Sequence, residues 1–184
     1  LTYGDINTWD VSGITDFSNL FEWKTTFNSD IGNWDVSNGT SFKNMFGDAY
    51  SFDQYIGCWD VGNASSLESM FDGATSFNQD ISRWDVSSVI NFREIFHDAD
   101  SFDQNIGNWD VGSGISFAKF FSNAGKFNQD ISRWDVSNGT NFNEMFNNAS
   151  TFNQDISVWN TSKGEDFNSM FSEADKMLAA GWSE

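Results

Sequence analysis

One repeat unit recurs through the whole chain and limits the folds that are open to it. Trp recurs at every 25th position from residue 9, Phe from residue 21 and Ile from residue 6, without insertion over seven turns. Chance does not produce three such columns, and fixed periods of this length are typical of stacked repeat units. We therefore interpret residues 1–184 as a single repeat domain. Its turns are centred on Trp9, Trp34, Trp59, Trp84, Trp109, Trp134 and Trp159.

The fourth repeat predicts a short strand followed by a short helix. Trp84 and Val86 alternate with polar neighbours, and this period of two is typical of a half-buried strand over residues 82–87. Within residues 92–99 the apolar side chains fall at i, i+3, i+4 and i+7, which indicates one face of a helix. The residue before this segment is Asn91, a good helix N-cap, and its equivalents in the other turns are Asp, Ser or Asn.

Together these patterns predict an α/β solenoid of leucine-rich-repeat-like type. Seven 25-residue turns, each a strand, a loop and a short helix, would place their strands in one parallel sheet, with neighbours ~4.8 Å apart. The core would lie between one face of the sheet and the inner faces of the helices. The chain has 20 Phe and 9 Trp residues, and large aromatic side chains can build such a core from few residues.

The charge balance excludes several classes of partner. The formal net charge is −18, which disfavours nucleic acid and anionic membrane surfaces because both need clustered Lys and Arg. No run of about 20 apolar residues is present, so no membrane span is predicted. No signal peptide is visible, and the start at Leu1 instead of Met is consistent with a processed or excised piece.

The repeat also resembles a known family. The sequence Phe-Asn-Gln-Asp-Ile-Ser-x-Trp-Asp-Val-Ser, followed by Phe-x-x-Met-Phe-x-x-Ala, is similar to the short repeat of bacterial surface proteins and mycoplasma-type lipoproteins. These are grouped with the BspA-like leucine-rich-repeat surface proteins, and the resemblance covers essentially the whole chain. It implies a leucine-rich-repeat-like fold, a cell-surface or extracellular location and a role in adhesion, with no catalytic residues to carry over.

The residues on either side of each Trp are the candidate binding face. If Trp and Val point inward, these neighbours point outward, and acids stacked ~5 Å apart repel each other by about 1 kcal/mol in water. Three interpretations stay open: each Asp accepts hydrogen bonds from a nearby Ser or turn amide, it faces a basic protein partner, or it binds Ca²⁺. No calcium-binding motif occurs, so no metal site or cofactor is predicted. The candidate residues are Asp10, Asp35, Asp60, Asp85, Asp110, Asp135, Asn33, Arg83, Asn108 and Arg133.

A second column has a structural interpretation. It comprises Asn28, Asp53, Asn78, Asp103, Asn128 and Asn153. We expect these side chains to bond to the backbone of adjacent turns. Arg83 and Arg133 are expected to pair with Asp85, Asp135 or their neighbours, and exposed pairs of this kind contribute little stability.

No enzymatic activity is predicted. His97, the one histidine, is expected on the solvated side of a helix, and Cys58 has no second Cys or His near it in the sequence. We predict a cell-surface or secreted module that binds a protein or cell-surface partner through the outward face of its sheet. The alternative is a structural subunit that assembles end to end into a filament or surface array through residues 1–6 and 177–184, because uncapped repeat ends expose core.

Overall fold

The chain forms seven stacked turns, one for each repeat, joined by hydrogen bonds between residues about one repeat apart. The computed structural model describes residues 4–181. Within this range, the hydrogen bonds between turns join only neighbouring turns. A ladder of isolated parallel bridges runs along the stack through Asp16, Ser41, Ser66, Asn91, Ser116, Asn141 and Asp166.

Regular secondary structure is confined to the two ends of the described chain. A 3₁₀ helix covers Ile6–Thr8 and an α-helix, α1, covers Asp175–Ala179. No β-strand forms within residues 4–181, since every bridge is isolated. The predicted α/β solenoid of leucine-rich-repeat type, with a parallel sheet and seven short helices, is therefore wrong. Neither helix is long and apolar enough to cross a membrane.

Local hydrogen bonds replace the strand predicted over residues 82–87. The Trp84 amide donates to the Ile81 carbonyl at 3.1 Å, and the Ser87 amide donates to Asp85 Oδ1 at 3.0 Å. These bonds use amides that a sheet would need for pairing between strands. The alternation of burial was nevertheless predicted correctly, because Trp84 and Val86 are buried while Asp85 is exposed.

Cross-turn hydrogen bonds replace the helix predicted over residues 92–99. The amides of Phe92, Glu94, Phe96 and Asp98 donate to carbonyls of the next turn at 2.9–3.1 Å. A helix would require the same amides to bond four residues back. All six junctions between turns carry the same four bonds, at 2.7–3.4 Å. The segment is instead a series of turns, in which Glu94 and Asp98 take positive φ values of 56° and 53°.

Stacked aromatic rings form much of the core. Phe71 stacks on Phe46 and on Phe96 with ring centroids 5.6 Å apart in both cases. A second column runs beside it, in which Phe52 and Phe77 lie 5.9 Å apart. Parallel rings at these distances are offset stacks, the arrangement that aromatic quadrupoles favour. The ladder continues from turn to turn and ties each turn to the next.

Tryptophan side chains link six of the turns to the turn before. Trp84 is buried, and its indole nitrogen donates to the Ile56 carbonyl at 3.1 Å. The same bond, always across 28 residues, recurs in six turns. The donors are Trp34, Trp59, Trp84, Trp109, Trp134 and Trp159. Each Trp therefore packs in the core while its one polar atom is satisfied.

The Asn and Asp column forms a ladder along the stack, as predicted. Asn78 Oδ1 accepts the Asp103 amide at 2.9 Å and the Gln104 side-chain amide at 3.0 Å. Asp53 accepts the equivalent pair of bonds from Asn78 and Gln79. The expectation that these side chains bond to the backbone of adjacent turns is confirmed.

Candidate binding face

All ten residues of the predicted binding face are exposed, although they do not lie on a sheet. They lie in the loops beside the repeated Trp. In the second to sixth turns this Trp is buried, and the inward Trp and Val side chains force their neighbours outward. We refer to them together as the binding face: Asp10, Asp35, Asp60, Asp85, Asp110, Asp135, Asn33, Arg83, Asn108 and Arg133.

Each Asp of the binding face closes a small turn of its own backbone. Asp10 Oδ1 accepts the Ser12 amide at 3.1 Å and the Ser12 hydroxyl at 2.7 Å. Where Gly follows two residues later, as at Gly62, only the amide bond to Asp60 forms, at 3.0 Å. This is the Asx-turn arrangement, in which an aspartate orders the loop after it. The structure therefore agrees with the first of the three interpretations, in which each Asp accepts hydrogen bonds from a nearby Ser or turn amide.

These hydrogen bonds favour the ionised carboxylate. Donation from the Ser12 hydroxyl, and then from its amide, holds the pKa of Asp10 below its ordinary value. The Ser two residues later lowers the pKa in the same way at three further positions. They are Asp35, Asp85 and Asp135.

The second carboxylate oxygen of each Asp is left for other ligands. Only Oδ1 of Asp10, Asp35 and Asp85 accepts a hydrogen bond from the described part of the chain. Oδ2 is therefore the acceptor that each turn offers to solvent or to a ligand, once per repeat. A ligand with several hydrogen-bond donors would be able to contact one Oδ2 atom in each of several turns.

Two shallow grooves lie on the binding face between adjacent turns. One, of about 300 Å³, is lined by Asn108 and Arg133 together with Gln129 and Asp130. It brings two predicted residues together from the fifth and sixth turns. Because the residues that line this groove are mostly polar, a ligand would be held there by hydrogen bonds and charge.

The other groove, of about 390 Å³, joins the third and fourth turns. It brings together Asp60, Arg83 and Asp85, with Cys58 and Tyr55 beside them. Cys58 donates its thiol to the Gly32 carbonyl at 3.1 Å. The groove mixes both signs of charge beside an aromatic ring.

The two arginines do not pair as predicted. Within residues 4–181 no acid lies within 4.0 Å of the side-chain nitrogens of Arg83 or Arg133, so the pairing with Asp85 and Asp135 is not present. Hydrogen bonds from Ser82 lower the pKa of Asp80, and the charge of Arg83 lowers that pKa further. The guanidinium groups remain available to an acceptor on a partner.

A cluster around His97 was not predicted from the sequence. Its Nδ1 lies 2.7 Å from Asp72 Oδ1 and 3.5 Å from Asp98 Oδ2, and the imidazole is about one-fifth exposed. One ligand atom from each of the three residues lies within 4.8 Å of the others, so these are the side chains that could hold a metal ion. The expected solvated position of His97 on a helix is wrong. The signal was available, because Asp72 precedes His97 by one repeat.

Hydrogen bonds already occupy much of this cluster. Asn123 Nδ2 donates to Asp98 Oδ1 at 2.7 Å. Burial lowers the pKa of His97, but the hydrogen bond to Asp72 and the charges of Asp98, Asp72 and Glu94 together raise that pKa above its ordinary value. The cluster therefore favours a protonated imidazole.

Comparison with known proteins identifies a repeat family. No curated protein and no solved structure matches the chain. Residues 1–105 and 79–182 both match the family described as "Mycoplasma protein of unknown function, DUF285". The two matches overlap by about one repeat and together cover almost all of the sequence. The chain therefore belongs to this mycoplasma-type repeat family, DUF285.

Proposed function

We propose that the chain is a non-catalytic module that binds a protein partner through the binding face, at the cell surface or in the extracellular space. The observation that carries the proposal is the repetition of exposed side chains in register, once per turn, with one oxygen of Asp10, Asp35 and Asp85 free of hydrogen bonds within residues 4–181. Weak contacts of this kind gain strength when several engage together.

Charge narrows the chemistry of the partner. The chain carries a net charge of −18, and six of the ten residues of the binding face are acids. A partner with basic side chains would be drawn to this face by long-range attraction and would suppress the repulsion between neighbouring acids. Arg83 and Arg133 would then favour partners that place hydrogen-bond acceptors opposite the two grooves.

The location rests on the resemblance of the repeat to surface-protein repeats. Adhesion to a cell-surface protein is the corresponding role, and the resemblance implies no catalytic residues. The proposal does not depend on the sheet that was predicted and does not form. Exposed residues on ordered loops serve as well, because rigid loops commonly carry binding residues.

The test measures binding of the fluorescently labelled chain to cultured epithelial cells. We expect saturable binding that is lost when the cells are first treated with trypsin, because trypsin removes protein receptors. The quadruple variant Asp35→Asn, Asp60→Asn, Asp85→Asn and Asp110→Asn should bind about fivefold more weakly. Each substitution keeps the oxygen that accepts the Asx-turn bond.

A charge-matched variant provides the control. Asp100→Asn, Glu165→Gln, Glu173→Gln and Asp175→Asn remove four exposed acids outside the binding face. This variant should bind within about twofold of the unaltered chain. Equal weakening by both variants would show that net charge alone drives binding, and absence of saturable binding would reject the proposal.

A further inference from the structure

We propose that copies of this chain associate head to tail, the last turn of one copy stacking on the first turn of the next. This proposal concerns the two ends of the stack and is independent of the binding face. The occupant of each end is a second copy of the chain.

Three backbone amides of the last turn lack an acceptor within residues 4–181. In every junction between turns, the same four amides donate to the following turn. The equivalents in the last turn include the amides of Phe167, Ser169 and Glu173. None of these three donates to any acceptor within residues 4–181. In the other turns the acceptors of the equivalent amides belong to the following turn, so an eighth turn would supply them.

Four backbone carbonyls of the first turn lack a donor within the same described range. The carbonyl oxygens of Asp16, Ser18, Leu20 and Glu22 accept no hydrogen bond from the described residues. Their equivalents one repeat later each accept an amide of the first turn. The first turn thus offers the acceptors that the last turn lacks.

The two sets match in spacing and direction. Inside the stack, each amide bonds to the carbonyl one position earlier in the repeat that follows, as Phe17 does with Ser41. By that rule, the amides of Phe167, Ser169 and Glu173 would face the carbonyls of Asp16, Ser18 and Glu22 in a second copy. Donors and acceptors that match in register direct the addition of a further repeat unit, as the open edge of a sheet does.

Apolar side chains are exposed at the first turn. Leu20 is 42% exposed, whereas the residues at its position in the second to sixth turns are fully buried. It borders a hollow of about 560 Å³ that Ile6, Phe21, Trp23 and Phe27 also line. Trp23 is 65% exposed. The last turn of a second copy would cover this surface as the first turn covers the second.

The last turn exposes its core in a matching way. Phe167 is 37% exposed, while its equivalents Phe117 and Phe142 are fully buried. An apolar hollow of about 260 Å³ lies beside it, lined by Trp159, Met170 and other core residues. In helix α1, Met177 is buried while Leu178 is exposed.

Such an interface is heterologous, because it joins two different surfaces of the same chain. Head-to-tail contacts of this kind grow into open chains unless their rotation closes a ring. The net charge of −18 on each copy opposes association at low salt. Added salt screens that repulsion and should lengthen the assemblies.

The test is sedimentation velocity of the 184-residue chain from about 1 µM to about 500 µM, at low and high NaCl. We expect a concentration-dependent series of species that shifts to larger sizes in high salt. Leu20→Asp should raise the concentration needed for association by about tenfold or more. The matched control is Ile90→Asp, since Ile90 is 47% exposed but lies in an interior turn, and it should associate like the unaltered chain.

Mixing distinguishes head-to-tail contacts from other modes. Leu20→Asp retains an intact last turn, so an excess of it should cap growing chains and shorten assemblies of the unaltered protein. This arm requires only that Leu20→Asp folds, which its circular dichroism and melting curve will show. A monomer at every concentration and salt, equal loss in both variants, or no shortening on mixing would each overturn the proposal.

Discussion

The indole nitrogen of Trp84 donates to the carbonyl oxygen of Ile56, 28 residues earlier, at 3.1 Å in the buried core. Trp84→Phe keeps an aromatic ring and removes this donor. The Ile56 carbonyl retains the Trp59 amide at 3.1 Å, so the loss is one bond plus some packing. We expect the free energy of unfolding to fall by about 1–3 kcal/mol, measured by urea denaturation. Trp23→Phe, at an exposed ring, should change it by less than about 0.5 kcal/mol.

Left-handed backbone at Glu144 reverses the usual ranking of alanine and glycine. Glu144 has φ of 52°, where a Cβ costs about 1–2 kcal/mol. We expect Glu144→Gly to be more stable than Glu144→Ala by about 1 kcal/mol in thermal or urea unfolding. At the neighbouring Asn143, which lacks a positive φ, the alanine variant should be the more stable. The same ranking at both positions would contradict the turn geometry.

The Asn and Asp ladder should respond according to position in the stack. Asn78→Ala removes the acceptor of the Asp103 amide and of the Gln104 side chain, and should cost about 1–3 kcal/mol in urea unfolding. Asn153 belongs to the same column, but its side-chain oxygen accepts no hydrogen bond from residues 4–181. Asn153→Ala should therefore be nearly neutral. An equal loss of unfolding free energy in the two variants would show that the hydrogen bonds accepted by Asn78 do not stabilise the fold.

The Asx turns make stability depend on acid pH. Hydrogen bonds from Ser hydroxyls and amides lower the folded-state pKa of Asp10, Asp35, Asp85 and Asp135. Their contribution is fully present above the unfolded-state pKa of about 4 and is lost as the pH falls through the lower folded-state values.

Urea denaturation at several pH values between about 5 and about 2 will measure this loss. The matched variant replaces the four serines that donate to these acids with alanine. It should lose less stability over the same range than the unaltered chain. Parallel curves for the two proteins would contradict the assignment.

The imidazole of His97 should titrate above its ordinary pKa of about 6.5, because Asp72 and Asp98 outweigh its burial. A raised folded-state pKa stabilises the fold below the unfolded-state value, and that stability is lost as the pH rises through the folded-state pKa. NMR titration of the single histidine will show the midpoint. Asp72→Asn should lower it. Asp100→Asn, at an exposed acid whose carboxylate lies more than 4.0 Å from the imidazole nitrogens, should leave it unchanged.

The sequence was sufficient to predict the repeat, its 25-residue turns and which side chains face inward. Trp84, Val86 and Phe92 are buried where the spacing places them. Burial depends on side-chain direction, which apolar spacing reports. Apolar spacing does not report which acceptor each backbone amide bonds to. Apolar residues at i, i+3 and i+4 satisfy a helix and a series of three-residue turns equally well, so the helix prediction failed.

One signal for the turns was present in the sequence. In the interior turns the position of Asp98 is also held by Asp48, Gly73, Asn123 and Asn148, residue types that tolerate positive φ. Trp23 and Glu173 hold it with the same backbone in the first and last turns. The position of Glu94 gives no such indication, because Lys119 and Ser69 occupy it elsewhere with the same backbone. The cluster of His97 with Asp72 required only the observation that residues one repeat apart are neighbours, which the repeat itself supplies.

The four cross-turn bonds of each junction also determine how the molecule would yield to force. They connect one turn to the next, so tension applied between the two ends loads all four at a junction together. Because turns touch only their neighbours, the weakest junction opens first, and the rest of the stack keeps its contacts. Each turn that peels away would release one full repeat, about 85 Å of extended chain. A chain that opens in this way would lengthen in equal steps, and each step would require mechanical work.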